Sequence, residues 1–280
     1  MSVIIKNNEY KGENLFNEYS FELSDFQKHS IDALENNHNV LVSAPTASGK
    51  TLVAEHIIRK NSKLNIDKQH QVIYTTPVKA LSNFLYNDFV EKFPDISFGI
   101  MTGDIKFNPE ADCVIMTTEI LRNLLYNKKI KTDKMELTIE IDVYNNVSGV
   151  IFDEVHYIGD SHRGRVWEET LILLPPKIQL VMLSATIEKP EIFAKWVANV
   201  KDIPVTLAVN EKRIVPLKYY ILFLIVLEIS KLFGSYSSLP SFNLESINID
   251  NITQISSFVR LFRYPSLIIS VNNISLHSLI

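Results

Sequence analysis

The residues best equipped for chemistry stand at three points of the chain. The first is Ala44-Pro45-Thr46-Ala47-Ser48-Gly49-Lys50-Thr51, which follows the apolar run NVLVS and precedes a helical pattern. This is the Walker A arrangement, with alanine at its first glycine position. Small residues let backbone N–H groups approach phosphate oxygens, and the helix that follows points its positive end at them. Lys50 would reach the β- and γ-phosphates of ATP, and Thr51 would offer its hydroxyl to Mg2+. A chance glycine turn at a helix start is the plainer account of such a match, and the strand before and helix after weigh against it.

The second point is Val150-Ile151-Phe152-Asp153-Glu154-Val155-His156, where an apolar strand ends in two adjacent acids with a histidine close behind. In an open parallel sheet the carboxyl ends of the strands are where ligands bind. There Asp153 can hold Mg2+ on the phosphates, and Glu154 can orient the attacking water. His156 can hydrogen-bond toward neighbouring motifs. An acidic pair ending a strand is by itself usually a turn or a helix start, and the upstream phosphate cradle reverses that balance. The third point is Ser184-Ala185-Thr186, after the strand-like LVML. Taken singly it is turn chemistry. Its order after the acidic pair makes Ser184 and Thr186 candidates to bridge the Asp153–His156 loop to a nucleic-acid site.

The elements that must position these groups alternate along the chain. Strands are expected at Asn39–Ser43, Gln71–Thr75, Ser97–Met101, Cys113–Thr117, Gly149–Asp153, Gln179–Ser184 and Pro204–Ala208. Helical patterns run over Lys50–Lys60, Val78–Lys92 and Glu119–Asn127. Continuous apolar strands fit sheets covered on both faces, and strand–helix alternation argues for a doubly wound α/β domain. That domain is expected over residues 15–215, after an N-terminal extension at 1–14. The polar, charged stretch 127–146 is longer than an ordinary connection and is expected to be a surface insertion. Beyond Phe223 charged residues fall from about one in four to about one in ten, with no motif and no alternation, so 216–280 is expected to be an irregular tail.

With 46% hydrophobic residues in 280, the chain can bury a large core. A formal charge of −4 excludes a surface coated in positive charge, so any nucleic-acid contact must come from a local patch and backbone amides. A single cysteine, Cys113, allows no internal disulfide and fits a reducing compartment. The N-terminus lacks the pattern of a signal peptide, and the apolar stretch Tyr219–Leu227 is about half the length needed to span a bilayer. An intracellular protein without a membrane anchor is expected.

Together these stretches resemble a known family. FELSDFQKHSIDAL, APTASGKT, YTTPVKALSN, GIMTGDI, MTTEILRNLLY, VIFDEVHYIGD, RGRVWEET, LILLP, LSATI and PLKYYILF occur in the order found in the DExH-box RNA helicases associated with the exosome, the superkiller/antiviral group of helicase superfamily two. The resemblance covers Phe21 to about Phe223. It implies a RecA-like fold, ATP and Mg2+ as cofactors, and single-stranded RNA as partner. It implies that Phe21 stacks on adenine while Gln27 reads its edge; composition alone would put Phe21 in the core and Gln27 on a helix surface. It implies that Thr76, Pro77, Lys79, Gly103, Thr117, Thr118 and Arg122 grip the nucleic-acid backbone, with Asp104 organising its loop. Each of these residues taken alone reads as a cap or a surface group.

The resemblance also marks departures. A second RecA-like domain should carry a Q-x-x-G-R-x-G-R type motif whose arginines complete the ATP site, and none occurs here. Arg163 and Arg165, in RGRVWEET, look structural. The expectation is therefore a helicase motor domain that is weakly active or inactive alone, completed by a separate second domain or exosome-type cofactors. The alternatives are a non-enzymatic ATP- and RNA-binding module and an unrelated P-loop ATPase.

Overall fold

Five runs, NVLVS, QVIYTT, CVIMT, VSGVIF and QLVMLS, are buried along almost their whole length. Strands of that kind need cover on both faces, and the chain supplies it. The computed structural model describes residues 2–12, 16, 19–64, 70–127, 141–185, 187–211 and 213. In chain order these form β1 (Val3–Lys6), α1 (Asp25–Glu35), β2 (Asn39–Ser43), α2 (Thr51–Leu64), β3 (Gln71–Thr76), α3 (Lys79–Lys92), β4 (Phe98–Met101) and β5 (Lys106–Phe107). They continue with β6 (Cys113–Thr117), α4 (Thr118–Asn127), β7 (Val147–Phe152), α5 (Gly164–Leu173), β8 (Gln179–Ser184), α6 (Pro190–Lys201) and β9 (Val205–Val209). A 3-10 turn, Val155–Gly159, follows β7.

The strands make one sheet in the order β1-β9-β2-β8-β7-β3-β6-β4-β5, parallel throughout except for the two-residue β5. Alternation sorts the side chains. Val40, Val42, Val72, Tyr74, Ile151, Val181 and Leu183 pack beneath α1, α2 and α3. Leu41, Ile73, Met116, Val150, Phe152, Leu180 and Met182 pack on the other face with α4, α5 and α6. Trp167, from α5, is wholly buried in that second layer. Truncating a buried leucine such as Leu41 to alanine would cost about 2–5 kcal/mol. This is the doubly wound, RecA-like α/β architecture expected from the strand–helix alternation.

The structure differs from two expectations. Val3–Lys6, inside the stretch read as an extension, pairs with β9 from Val3↔Val205 to Lys6↔Ala208 as an edge strand of the sheet. Residues 128–140 of the expected insertion lie outside the described residues, but Ile141 and Val143 are buried in the core and the Asn146 carbonyl accepts the Gln71 N–H at 2.9 Å. The end of that stretch is therefore part of the domain. The tail, 216–280, lies outside the described residues. Among those that are described, no helix is long and apolar enough to cross a membrane.

Candidate nucleotide and nucleic-acid site

Since β2, β8, β7, β3 and β6 run parallel side by side, the loops leaving their carboxyl ends gather on one edge of the sheet. That edge brings together residues separated by well over a hundred positions in sequence.

The loop after β2 is the phosphate cradle. Ala47 and Gly49 take left-handed backbone angles, φ +62° and +84°, and a side chain on Gly49 would come within 2.7 Å of the Gln27 amide nitrogen. The Ala44 N–H donates to the Ser184 carbonyl at 3.1 Å, which ties the cradle to the end of β8. Lys50 Nζ donates to the carbonyls of Ala44 and Pro45, both at 2.9 Å, arching over the loop. Burial lowers the Lys50 pKa, and the nearby charges of Glu154 and Asp153 pull the other way. Thr51 is the first residue of α2, and Thr46 stands exposed on the loop.

The acidic pair sits after β7, two strands from β2, with β8 between them. Glu154 takes a left-handed φ of +50° and turns the chain sharply into the 3-10 turn. Asp153 Oδ1 accepts the Glu154 N–H at 2.9 Å, and Asp153 Oδ2 accepts the Tyr74 hydroxyl at 3.0 Å. Burial, reinforced by the charge of Glu154, pushes Asp153 up to about 6, while Tyr74, the Glu154 amide and Lys50 restrain it. The carboxylate is thus costly to ionise and gains from a cation beside it. His156 Nδ1 lies 3.2 Å from Glu154 Oε2 without hydrogen-bond geometry, and its ring stacks on Tyr157 at 5.2 Å.

Exposure at the entrance to α1 reverses what composition suggests. Phe21 is 56% exposed, and Gln27 is only 7% exposed. Gln27 Oε1 accepts from Ser24 N and Ser24 Oγ at 2.9 and 2.8 Å, and Gln27 Nε2 donates to the Gly49 carbonyl at 3.0 Å. One glutamine therefore starts α1 and touches the cradle, beside a free aromatic face.

The backbone-gripping candidates divide. Lys79 and Gly103 are exposed, and Lys79 Nζ forms a surface ion pair with Asp104 at 2.6 Å. Thr76 is fully buried, with its hydroxyl shared between Ser82 Oγ at 2.7 Å and the Val78 carbonyl at 3.1 Å; it braces the entry to α3 from within and does not face outward. Pro77 is buried and its carbonyl accepts from Arg163. Thr117 and Thr118 are buried at the β6–α4 junction, with Thr118 Oγ1 unpartnered, and Arg122 lies 3.7 Å from Glu169. Ser184 ends β8, whereas Thr186 lies outside the described residues. Arg163 and Arg165 are engaged as structural groups: Arg163 with Pro77 and Glu119, Arg165 with Glu169 at 2.6 Å.

Two contacts escaped the motifs, Tyr74 to Asp153 and Arg163 to Pro77. A tyrosine behind the apolar pair Val72-Ile73, in a strand expected to be buried, needs a partner for its hydroxyl, and that is the signal that could have found the first.

The arrangement suits a nucleotide with a divalent cation. Among the described residues Ser48 Oγ and Ser184 Oγ are buried beside the cradle without a hydrogen-bond partner, and buried polar atoms rarely stay unpaired. Among the described residues no group of three or more His, Cys, Asp or Glu could hold a metal by itself. Mg2+ would instead rely on Thr51, Asp153 and phosphate oxygens, the usual economy of that ion.

A phosphate cradle facing an acidic pair, at the carboxyl edge of a doubly wound parallel sheet, defines a P-loop nucleotide-binding domain. The comparisons narrow the class. The chain belongs to the DEAD/DEAH box helicase family, whose profile matches residues 24–193. It is similar to the exosome RNA helicase MTR4 of Homo sapiens, 44% identical over 204 residues that make up 73% of this chain and 18% of that protein. It is also similar to the antiviral helicase SKI2 of Saccharomyces cerevisiae, 43% identical over 200 residues, 71% of this chain and 14% of that one. The resemblance seen in the motifs is borne out at this level. A DUF1998 helicase, MrfA, bound to DNA and AMPPNP shares the fold, with a TM-score of 0.51 at 20% identity over 70% of this chain and 28% of its own. The chain spans less than a fifth of the length of these curated relatives.

Proposed function

We propose that this chain is the ATP-binding motor domain of an RNA helicase, holding ATP and Mg2+ on the edge built by Lys50, Thr51, Asp153 and Glu154 and single-stranded RNA on the neighbouring loops. The observation that carries it is the convergence of the cradle and the acidic pair, with Lys50 feeling the charge of both acids. Lys50 would bind the β- and γ-phosphates, Thr51 and Asp153 the cation, and Glu154 the attacking water, with His156 relaying the state of that loop. Phe21 would stack on adenine and Gln27 would sense it, passing its presence to Gly49 through the existing hydrogen bond. Lys79, Gly103, Thr117, Thr118 and Arg122 would meet the RNA backbone, and Ser184 and Thr186 would couple the two sites. Thr76 and Pro77 would act from within, by shaping the loop.

Hydrolysis needs a positive group on the γ-phosphoryl oxygens, worth roughly 10³–10⁵ in rate in related hydrolases. Arg163 and Arg165 are tied up elsewhere, so a second RecA-like domain or an exosome-type partner would supply that arginine. The protein would work inside the cell, in a reducing compartment.

The test is a melting assay titrated with Mg-ATP on the 280-residue chain and on Lys50→Ala. The wild type should gain melting temperature with ligand, and the variant should fold normally yet gain little. An unchanged ligand-induced shift in Lys50→Ala would sink the cradle assignment.

A further inference from the structure

Tyr74 opens the stretch YTTPVKALSN but carries none of the roles assigned to that stretch, yet its hydroxyl touches Asp153. It lies on β3 opposite Ile151 of β7, and Thr75 lies opposite Phe152, so the two strands deliver Tyr74 and Asp153 to the same edge. The Tyr74 side chain is completely buried in the apolar layer under α2 and α3, with its ring edge-on to Phe89 at 5.7 Å. Phenylalanine would fill that space equally well, and a hydroxyl placed there without a partner carries a desolvation cost.

The hydroxyl is used. It donates to Asp153 Oδ2 at 3.0 Å while the Glu154 N–H holds Oδ1 at 2.9 Å, so both oxygens of one carboxylate are fixed. A carboxylate held only by its own backbone turn keeps freedom about its last torsion. The phenol removes that freedom from the neighbouring strand. Mg2+ demands near-ideal octahedral geometry, and partners that orient a ligand commonly alter metal affinity by about 10–100-fold.

We propose that Tyr74 is a positioning residue that fixes the Asp153 carboxylate for the divalent cation on the nucleotide. This rests on the reading of Asp153 as the cation's protein ligand. The hydroxyl donates its proton to Oδ2 and the Glu154 N–H donates to Oδ1, which leaves one lone pair on each oxygen to face the cation or its waters. Tyr74 itself meets neither nucleotide nor metal.

The experiment measures binding of a fluorescent ATP analogue by the full chain as a function of Mg2+, with parallel titrations in EDTA. In Tyr74→Phe the Mg2+ needed for half-saturation should rise about tenfold, while metal-free nucleotide affinity and the cooperative thermal melt are retained. In the Asp153→Asn background, Tyr74→Phe should add no further shift, because the carboxylate it orients is gone. An unchanged Mg2+ midpoint, or an equal shift in both backgrounds, overturns the proposal. So does loss of the cooperative melt in Tyr74→Phe, which would make the hydroxyl a servant of the fold and not of the metal. Failure of the wild-type chain to bind nucleotide at any Mg2+ concentration would instead overturn the reading of the site on which the proposal rests.

Discussion

The guanidinium of Arg163 donates to the carbonyl of Pro77, which tethers the turn after the acidic pair to the loop at the end of β3. The same group pairs with Glu119 of α4 at 2.7 Å and lies 5.4 Å from the ring centroids of both Tyr157 and Trp167. A planar, multiply donating cation is required for all of this at once, and a lysine ammonium can satisfy only part of it.

Arg163→Ala should therefore lower the stability of the chain by about 1–3 kcal/mol, the sum expected of a charged hydrogen bond and a partly buried cation–π contact. Arg163→Lys should recover little of that loss. Urea unfolding at constant m-value is the measurement. A lysine variant as stable as the wild type would show that charge alone matters there.

Asp153 gives a pH dependence of definite sign. Its pKa in the folded chain, about 6, lies above the ordinary value of 3.8, so the folded state holds the proton more tightly than the unfolded state does. The Asp153 contribution to the stability of the metal-free chain is greatest below about pH 4 and is lost as pH rises toward 6, a change of roughly 3 kcal/mol. Asp160 and Glu169, held below the usual carboxylate range by their hydrogen bonds, act in the opposite direction at lower pH. The comparison of Asp153→Asn with wild type cancels these. In EDTA at pH 7.5 the asparagine variant should be the more stable by about 1–3 kcal/mol, and the difference should vanish near pH 4. Equal stability at both pH values would show that ionised Asp153 costs the fold nothing.

Single-stranded RNA should bind weakly, without preference for base sequence, and with strong sensitivity to salt. The candidate contacts are amides, hydroxyls and a few basic groups directed at phosphates, which carry no sequence information. Lys79, 54% exposed, is already partly neutralised by Asp104 at 2.6 Å. Fluorescence anisotropy on homopolymers should give a log–log salt slope of about −1 to −2, with Lys79→Ala reducing its magnitude by about 0.7. A strong preference for one homopolymer at fixed salt would contradict the assignment.

What could be read from the sequence was what is local. APTASGKT and DEVH each sit in a strand–turn unit whose residue types are dictated within a few positions by backbone geometry and phosphate chemistry, and Ser184 closes a third strand beside them. Their order, and the apolar runs that bury strands on both faces, were enough to specify a doubly wound sheet and the edge proposed to hold nucleotide. Contacts between distant segments could not be read in this way. Val3–Lys6 looks like a loose terminus until β9, about two hundred residues on, offers its free edge. Phe21 and Gln27 exchange the environments their polarity suggests, since a backbone carbonyl of the cradle and a helix start satisfy the amide while the ring, met edge-on by Tyr19, stays more than half exposed. Thr76, expected among the residues that grip the nucleic-acid backbone, faces inward, its hydroxyl shared with Ser82 one helical turn into α3. Tyr74 with Asp153 and Arg163 with Pro77 pair across strands and helices. Burial and hydrogen bonding act on positions in space, so only the folded sheet decides which side chain completes which.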